Sequence, residues 1–421
     1  MIPQLTTGLL IVALLLVNEL AFSQIRVKIG AEKLLDSIAL LKQKKIALVV
    51  NHTSRFPNGV HLVDTLRKRS ISIQCIFAPE HGYQGNIEGG KLIAHERDPQ
   101  TGIAVYSLYG KQKRPSAEQL RGVNVVIFDI QDVGVRCYTY LTTLVYVMQA
   151  CAENKIPLWI LDRPNPNCHY IGGPLLKKGF ESFVGVHAIP LVYGLTLGEY
   201  ALMAKQEKWI DETLELRIFT MEGYRRSMQW EETGLPWPIP SPNLREPKAA
   251  LLYPILCWYE GTQISVARGT DFPFLAMGFP FHTPIKKLLE KKQDSSFKMP
   301  GGLKVQTIAF RPKRIKNVAE NPPYLEKTCY GYKLEPLARG DSLFLDGILL
   351  LKEFFEIYMQ EKNKHSHLPN FFNSFFGLLV GNEEFQKMIE QGTRAEDIFQ
   401  KWKAANREYE KIKMKYHIYP S

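Results

Sequence analysis

The chain has 421 residues, of which 45% are apolar and 23% are charged, with 30 Gly and 26 Pro. These values are ordinary for a globular protein, so they exclude a long disordered, collagen-like or coiled-coil chain. Lys and Arg outnumber Asp and Glu by 53 − 42 = 11, which favours an anionic partner. The cations are spread along the chain, so they select no partner class, and we expect no nucleic-acid partner. The six cysteines are too scattered for a disulfide scaffold.

The first 23 residues have the pattern of an export signal. Residues 9–17 are an unbroken apolar run, and the small residues Ala21 and Ser23 precede Gln24 at the −3 and −1 positions. A helix over this run spans about 13 Å against a hydrocarbon core of about 30 Å, so it cannot cross a bilayer. We therefore expect a signal peptide at residues 1–23, an exported (periplasmic or secreted) mature protein, and no stable membrane insertion.

From residue 29 onward, helix-like and strand-like segments alternate. The predicted strands are residues 45–50, 71–78, 103–108, 124–130, 156–161 and 214–219. The predicted helices are residues 31–41, 59–68, 116–120, 138–151 and 199–205. Strands without polar alternation, separated by helices, indicate a parallel sheet that is covered on both faces. The fold class is therefore α/β, with a Rossmann-like, mostly parallel sheet in the N-terminal domain.

A proline-rich segment marks the predicted domain boundary. Residues 235–247 contain five prolines, which remove backbone donors and restrict their neighbours, so this segment cannot form a regular helix or a central strand. We predict a Rossmann-like domain at residues 24–248. A second domain at residues 249–421 runs through mixed strands into helices at 375–391 and 395–416.

Polar side chains cluster where the predicted strands end. They are Asn51 and His52, Glu80 and His81, Gln131 and Asp132, and Asp162, Arg163 and Asn165. In a doubly wound sheet the crevice at the carboxyl ends of the strands holds the ligand. The first strand is followed by no glycine-rich loop, and the chain has no Walker lysine motif, which argues against a dinucleotide or a nucleoside triphosphate. The pattern predicts a site for another polar ligand.

Glu80 is the strongest catalytic candidate. It follows a buried strand and Pro79, and His81 and Gly82 come next, where the backbone can turn sharply. A carboxyl group that is desolvated at such a crevice holds its proton more readily and can act as a general acid. The alternative is a carboxylate that only accepts hydrogen bonds at a helix start.

The other candidates each have a structural alternative. Strand-end carboxylates such as Asp132 and Asp162 commonly cap helices, and Glu88 is either a residue folded over the site or a solvated loop charge. Arg136, Arg163 and Arg268 can grip a substrate carboxylate, and their alternative is an internal ion pair. The side chains that we assign to substrate binding are Asn51, His81, Gln131, Arg136, Tyr138, Asp162, Arg163, Asn165, Tyr193, Asn243 and Arg268.

Metal and serine-hydrolase chemistry lack their sequence motifs. His52 and His81 could join a neighbouring Asp as metal ligands, but no HExxH or CxxC spacing is present. The chain has no Gly-x-Ser-x-Gly motif either. We expect no metal and no cofactor. Tyr138 and Tyr193 are among several aromatic residues that could stack on sugar rings, and some of these will belong to the core.

Several segments in fixed order resemble the NamZ-like exo-β-N-acetylmuramidases. The matching segments lie at residues 51–54, 77–82, 129–140, 161–166, 172–174, 190–196, 240–243, 260–262 and 268–270. The resemblance covers essentially all of the mature chain. It implies a Rossmann-like N-terminal domain, a smaller α/β (α+β) C-terminal domain and an active-site cleft between them. It also implies that the Glu of the Pro-Glu-His-Gly motif, which is Glu80 here, is catalytic.

The activity implied by the resemblance is exo-lytic release of β-1,4-linked N-acetylmuramic acid from the non-reducing ends of peptidoglycan fragments. Such hydrolysis needs an acid at the leaving oxygen, for which Glu80 is the candidate, and a second group on the opposite side. Asp132 and Glu88 are candidates for that second group, and the acetamido group of the substrate is the alternative. A non-catalytic exported glycan-binding protein and a metal-dependent deacetylase or esterase are the competing functions. The expected partners are peptidoglycan-derived muramyl sugars, and the oligomeric state is not predicted.

Overall fold

The structure is a computed structural model and describes residues 26–90, 95–291, 293 and 295–421. The predicted signal peptide at residues 1–23 lies outside the described residues. In the described part of the chain, no helix is both long and apolar enough to span a bilayer. All six cysteines are described, and each is a buried free thiol.

The N-terminal part contains a seven-stranded sheet with the order β3-β4-β2-β1-β5-β6-β9. In chain order, the first nine strands are β1 (Lys45–Val50), β2 (Ser72–Ala78), β3 (Glu96–Arg97), β4 (Ala104–Ser107), β5 (Val125–Asp129), β6 (Leu158–Leu161), β7 (Gly172–Leu175), β8 (Pro190–Val192) and β9 (Leu216–Phe219). Neighbouring strands are parallel except β3, which pairs antiparallel with β4. Strands β7 and β8 form a separate antiparallel pair.

The described residues also form eleven α-helices. They are α1 (Gly30–Asp36), α2 (Leu62–Lys68), α3 (Ala117–Leu120), α4 (Tyr140–Glu153), α5 (Leu197–Gln206), α6 (Pro247–Leu256), α7 (Thr283–Glu290), α8 (Leu343–Lys364), α9 (Ser374–Val380), α10 (Glu384–Glu390) and α11 (Ala395–Met414). Short 3₁₀ turns lie at Ile38–Leu41, Glu231–Thr233 and Cys257–Gly261.

The central sheet is buried on both faces, as the apolar strands predict. Along β1, Ile46 and Leu48 belong to one hydrophobic core together with Leu34 of α1, while Ala47 and Val49 belong to the other. Both sets of side chains are fully buried. A strand in this position needs apolar residues at every position, which explains why the sequence shows no polar alternation.

The C-terminal region has its own smaller sheet. Its four strands are β10 (Ala276–Phe279), β11 (Ser296–Lys298), β12 (Leu303–Phe310) and β13 (Cys329–Pro336). They are antiparallel and have the order β10-β13-β12-β11. Alternate residues of β12 are buried, so only one face of this sheet meets the core. The larger hydrophobic core continues from the parallel sheet into this region. The structure confirms the predicted α/β class, with a mostly parallel sheet and a smaller sheet-and-helix C-terminal region.

The predicted helices begin or end at other residues in the structure, and three of them show why. The helix predicted at 138–151 begins at Tyr140, because Thr139 occupies its N-cap position. The helix predicted at 59–68 begins at Leu62, where the His61 side chain accepts the Val63 N–H. The helix predicted at 375–391 is two helices, α9 and α10, because Gly381 adopts a left-handed φ of 80° and ends the first.

Candidate active site

Two cavities open at the carboxyl end of the parallel sheet. The chain passes from β1 to β2 and β4 on one side and then returns to β5 on the other side of β1. The point between β1 and β5, where the direction of winding changes, is where doubly wound sheets bind ligands. A cavity of about 740 Å³ lies there, and a second of about 480 Å³ lies at the end of β2. We call them the switch-point cavity and the Glu80 cavity.

The Glu80 cavity is lined by both parts of the chain. The polar side chains and glycines of its wall are Glu80, His81, Glu88, Gly89, Gly90, Tyr109, Tyr138, Thr139, Ser241, Tyr253, Glu260 and Arg268. Phe183, Phe274 and Phe375 add aromatic surface. A polar site with aromatic walls, enclosed between two regions of a protein, is typical of a small-ligand site.

The turn after β2 places Glu80 at this cavity. His81 and Gly82 both have left-handed backbones, with φ of 71° and 76°, and the chain then folds back on itself. Gly90 donates its N–H to Oε1 of Glu80 at 2.9 Å, and Thr139 donates its hydroxyl to Oε2 at 2.6 Å. The carboxyl group is therefore fixed by two partners at the cavity wall. The hydroxyl of Thr139 can rotate and accept instead, so the same geometry accommodates a protonated Glu80.

Tyr109 and His81 complete the surroundings of this carboxyl group. Burial raises the pKa of Tyr109, and the negative charge of Glu80 raises it further, so its phenol stays protonated near neutral pH. Burial lowers the pKa of His81, and the nearby Arg268 lowers it further, while Glu80 opposes the shift. Nδ1 of His81 lies 2.8 Å from the carbonyl of Ile87. Because a carbonyl only accepts, the neutral ring carries its proton on Nδ1 and keeps Nε2 unprotonated.

Arg268 and Glu260 form an ion pair in the same cavity. Nε of Arg268 donates to Oε1 of Glu260 at 2.7 Å, and Nη2 lies 2.5 Å from the same oxygen. Burial lowers the pKa of Arg268, but the charge of Glu260 outweighs it and leaves the pKa raised, so the guanidinium remains a cation. Within the described residues its Nη1 makes no hydrogen bond. This edge of the guanidinium is available to a ligand.

Glu88 and Tyr138 also reach the cavity, as the sequence predicts. Oε1 of Glu88 accepts the backbone N–H of Glu320 at 2.8 Å, which ties the loop of residues 82–90 to the C-terminal region. The ring of Tyr138 packs edge-on against Tyr140 and Tyr253, with centroid distances of 4.8 and 5.8 Å. The structure therefore brings together five of the predicted residues, namely Glu80, His81, Glu88, Tyr138 and Arg268.

Asp132 lies beneath the cavities instead of in the Glu80 cavity. Its Oδ2 accepts the hydroxyl of Tyr193 at 2.5 Å and the N–H of Gly134 at 2.6 Å. It is buried next to a void of about 10 Å³, which has no room for a sugar. Burial raises the pKa of Asp132 to about 6, although these hydrogen bonds oppose the shift. Tyr193 is fully buried as well.

Several other predicted residues hold the scaffold together. Arg136 is fully buried and donates to the carbonyls of Pro174, Ile189 and Leu379, and burial lowers its pKa to about 10. These bonds join the β7–β8 pair to α9, so the guanidinium does not reach the Glu80 cavity. Four other residues that we predict to bind substrate are also buried and form hydrogen bonds within the protein. These bonds join Asn51 to Tyr140, Asp162 to Thr196 and Tyr419, Asn165 to Leu195, and Asn243 to Val318.

Gln131 and Arg163 line the switch-point cavity. Gln131 donates its amide to the carbonyls of Asp132 and Pro164. Arg163 forms a bidentate pair with Asp129, with Nε–Oδ1 at 2.5 Å and Nη2–Oδ2 at 2.9 Å. Arg163 therefore has the alternative role that the sequence offers for the arginines, an internal ion pair with a neighbouring Asp. In the described part of the chain, no group of three or more His, Cys, Asp or Glu side chains is arranged to hold a metal ion.

The structure adds residues that the sequence analysis did not assign. Thr139, Tyr109, Ser241 and Glu260 line the Glu80 cavity. Tyr109 follows the end of β4, so the rule used for the other strand ends would have selected it. Thr139 and Glu260 lie within segments that we compared with the family, but no periodicity or spacing distinguishes their side chains from neighbours in the core.

Comparison with known proteins agrees with this architecture. The model of the exo-beta-N-acetylmuramidase NamZ N-terminal domain matches residues 46–248, and that of the C-terminal domain matches residues 251–419. Over 403 residues the chain is 35% identical to peptidoglycan beta-N-acetylmuramidase NamZ of Bacillus subtilis (strain 168), which covers 94% of this chain and 92% of that protein.

Two crystal structures of DUF1343 family proteins from Bacteroides fragilis NCTC 9343 have the same fold. One is 34% identical with a TM-score of 0.76, and the other is 27% identical with a TM-score of 0.80. Each comparison covers 94% of this chain and 99% of the other. The two family models and the similarity to the Bacillus protein show that the chain belongs to the NamZ family of exo-β-N-acetylmuramidases.

Proposed function

We propose that this protein is an exo-lytic glycoside hydrolase that releases β-1,4-linked N-acetylmuramic acid from the non-reducing ends of peptidoglycan fragments. The Bacillus relative is named a peptidoglycan beta-N-acetylmuramidase, and similarity over nearly the whole chain supports the same reaction here. We also propose that the protein is exported, because an apolar segment with a cleavage-site pattern precedes residue 24.

The arrangement of Glu80 is the observation that carries the proposal. Its carboxyl group is half-buried at the wall of a 480 Å³ cavity and is held by Gly90 and Thr139. In the proposed reaction Glu80 gives its proton to the glycosidic oxygen as that bond breaks, and it recovers a proton from the attacking group or from water. The nearby phenol of Tyr109 remains protonated and can donate to Glu80 while the latter is ionised.

The second catalytic group must act on the opposite side of the sugar ring. Of the two carboxylates considered for this role, Glu88 lines the Glu80 cavity and Asp132 is buried beneath it. We therefore keep Glu88 in the proposal, with the acetamido group of the substrate as the alternative. A Glu88→Gln variant with unchanged kcat would remove Glu88 from the mechanism and leave the acetamido group as the second participant.

Arg268 supports the choice of a muramyl substrate. N-Acetylmuramic acid carries a lactyl carboxylate, and an arginine with a free guanidinium edge is suited to bind it. Glu260 fixes the guanidinium through Nε and Nη2, and Nη1 makes no hydrogen bond within the described residues. Charge and orientation are thus set before the ligand arrives.

Incubation with a N-acetylmuramyl-N-acetylglucosamine disaccharide tests the proposal. The expected result is release of free N-acetylmuramic acid, with kcat about 10²–10⁴-fold lower in Glu80→Gln, the range for loss of a general acid. Glu118→Gln, which makes the same change on an exposed helix, serves as the matched control. Binding of the disaccharide without any release would identify a glycan-binding protein and contradict the proposal. Loss of activity with a chelator would instead indicate metal-dependent chemistry.

A further inference from the structure

The switch-point cavity adjoins the Glu80 cavity. The loop of residues 82–90 lines both, with Gly85 on the switch-point side and Glu88 on the other. The proline-rich segment also lines both, through Pro242 on one side and Ser241 on the other. These two segments are therefore walls that the two cavities share, and the cavities are neighbours on either side of them.

The walls of the switch-point cavity suit a ring-shaped, partly apolar ligand. Trp230 and Trp237 line it together with Pro236 and Pro238. The indole N–H of Trp230 donates to the carbonyl of Leu235, and that of Trp237 donates to the carbonyl of Leu244. Both rings are thus held in place, and their edge-to-face contact at a centroid distance of 4.7 Å joins them into one aromatic wall of the cavity. The volume of about 740 Å³ is that of a typical ligand site.

The same cavity carries positive charge and no lining carboxylate. Its ionisable cations are Arg55, Arg163 and Lys316, and no Asp or Glu is among its described lining residues. Asp129 neutralises Arg163. Arg55 donates only to the carbonyls of its own loop, and Lys316 is exposed without a carboxylate partner in the described chain. The two unpaired cations favour an anionic group at the rim.

His52 does not add to this charge near neutral pH. Burial lowers the pKa of its ring to about 4, with the nearby His81 and Arg55 contributing in the same direction. Its Nε2 lies 2.9 Å from the carbonyl of Ile239 and so bonds the first loop to the proline-rich segment. The charge that a ligand meets in this cavity therefore comes from Arg55 and Lys316.

We propose that the switch-point cavity binds the part of the glycan beyond the cleaved linkage, with a lactyl carboxylate of the next muramic residue between Arg55 and Lys316. This inference rests on the proposed function and extends it to the departing portion of the substrate. The tryptophan and proline walls contact the sugar rings, and the two cations select a chain whose second muramic residue is charged. The enzyme then prefers fragments longer than a disaccharide.

Binding of an uncleavable fragment tests the inference without relying on hydrolysis. The disaccharide N-acetylglucosaminyl-N-acetylmuramic acid has no muramic residue at its non-reducing end, yet it carries the lactyl carboxylate. We expect its Kd to rise about fivefold in Lys316→Glu, the upper value for an exposed ion pair. Lys313→Glu, which changes an exposed lysine of the same loop outside the cavity lining, should leave the Kd unchanged. Equal affinities of wild type and Lys316→Glu would overturn the inference.

Chemical and salt controls separate charge recognition from packing. When the lactyl group of the same disaccharide is converted to a neutral amide, the wild type and Lys316→Glu should bind it with the same Kd. This Kd should be higher than that of the wild type for the acid. The difference between acid and amide should shrink as salt rises, because the Debye length falls from about 10 Å at 0.1 M to about 3 Å at 1 M. If a free stem peptide competes for this site and the glycan does not, the occupant is a peptide and the inference is wrong.

Kinetics with two fragment lengths then connects binding to turnover. The ratio of kcat/KM for the muramyl-glucosaminyl-muramic acid trisaccharide to that for the disaccharide should exceed one in the wild type. It should fall about fivefold in Lys316→Glu. A ratio that Lys316→Glu leaves unchanged contradicts the inference while the hydrolase function stands. Charge-dependent binding with no hydrolysis of either fragment contradicts the hydrolase function and supports the glycan site.

Discussion

The hydroxyl of Thr139 lies 2.6 Å from Oε2 of Glu80 and donates a hydrogen bond to it. This contact joins the turn after β2 to the N-cap residue of α4, so the start of a helix helps to fix a carboxyl group that follows a different strand. Thr139 acts through Glu80 and is therefore a positioning residue. We expect Thr139→Val to lower kcat about tenfold, the order of one lost hydrogen bond to a charged group, and to change KM less than twofold.

The serine variant distinguishes positioning from packing. Thr139→Ser keeps the hydroxyl and should restore most of kcat, and Thr139→Val should unfold within a few degrees of the wild type. Steady-state kinetics and thermal unfolding of the three proteins check this expectation. A valine variant with unchanged kcat would show that Gly90 alone is enough to hold Glu80.

The position of Glu80 could be predicted from sequence because it follows from a local rule. A buried parallel strand needs apolar residues throughout, so its carboxyl end is recognised by the first polar residues after it. Glu80 and His81 after β2 and Gln131 after β5 all obey this rule. The strand bounds themselves needed only small shifts, such as 71–78 becoming Ser72–Ala78.

The rule could not tell which strand-end residues face a cavity. Asp132 and Asp162 follow strands just as Glu80 does, yet both are fully or nearly fully buried and bonded to tyrosines that arrive from distant parts of the chain. One partner of Asp162 is Tyr419, 257 residues away. Contacts at such separations are fixed by tertiary packing, which no local pattern in the sequence records.

Arg268 gives a prediction about substrate choice. Arg268→Lys keeps the charge but cannot engage Glu260 and a carboxylate at once through a planar guanidinium. We expect kcat/KM for the muramyl disaccharide to fall about 10–100-fold, the range for charged hydrogen bonds. The fall should be much smaller for an analogue that lacks the lactyl group. Measuring kcat/KM for both substrates, with the wild type and with Arg268→Lys, checks this expectation.

A matched arginine provides the control for Arg268. Arg136 is fully buried and donates only to backbone carbonyls. Arg136→Lys should lower the unfolding temperature and leave the ratio of the two kcat/KM values as in the wild type. Equal losses with and without the lactyl group in Arg268→Lys would assign Arg268 to structure and remove it from carboxylate binding.

Tyr419 anchors the C-terminal segment to the buried Asp162. Its hydroxyl donates to Oδ2 of Asp162 at 2.7 Å and accepts the N–H of Met221 at 3.1 Å. Tyr419→Phe leaves both groups short of a partner in a dry site, and we expect a loss of about 1–3 kcal/mol in the free energy of unfolding. Tyr416→Phe is the matched control, because the partner of Tyr416 is Glu207, which is only half-buried.

The cost of Tyr419→Phe should depend on pH. Burial raises the pKa of Asp162 to about 6, while the hydroxyls of Thr196 and Tyr419 oppose the shift. The stability that this raised pKa contributes is full below about pH 4 and is lost as the pH rises through about 6. Above pH 6 the carboxylate is charged and needs its donors most, so denaturant unfolding should show a larger loss at pH 7.5 than at pH 5. An equal loss at both values would show that Asp162 keeps one protonation state across this range.

The stability that His187 contributes should depend on pH in the opposite direction from that of Asp162. Its ring stacks on Tyr200 and packs against Trp209, and Nδ1 lies 2.6 Å from the hydroxyl of Tyr200. Burial lowers the pKa of His187 to about 4. Between this value and the unfolded value of about 6.5, the unfolded chain binds more protons than the folded one. Stability from this group is therefore full above about pH 6.5 and is lost as the pH falls toward 4.

Replacing His187 should reduce the loss of unfolding free energy that occurs as the pH falls below 7. We expect the free energy of unfolding of His187→Gln to fall about 2 kcal/mol less than that of the wild type between pH 7 and pH 5. His365→Gln, at an exposed histidine, should follow the wild-type profile. Urea unfolding at both pH values measures the difference. If His187→Gln loses as much stability as the wild type over this interval, His187 is protonated in the folded protein and the acid sensitivity has its origin elsewhere.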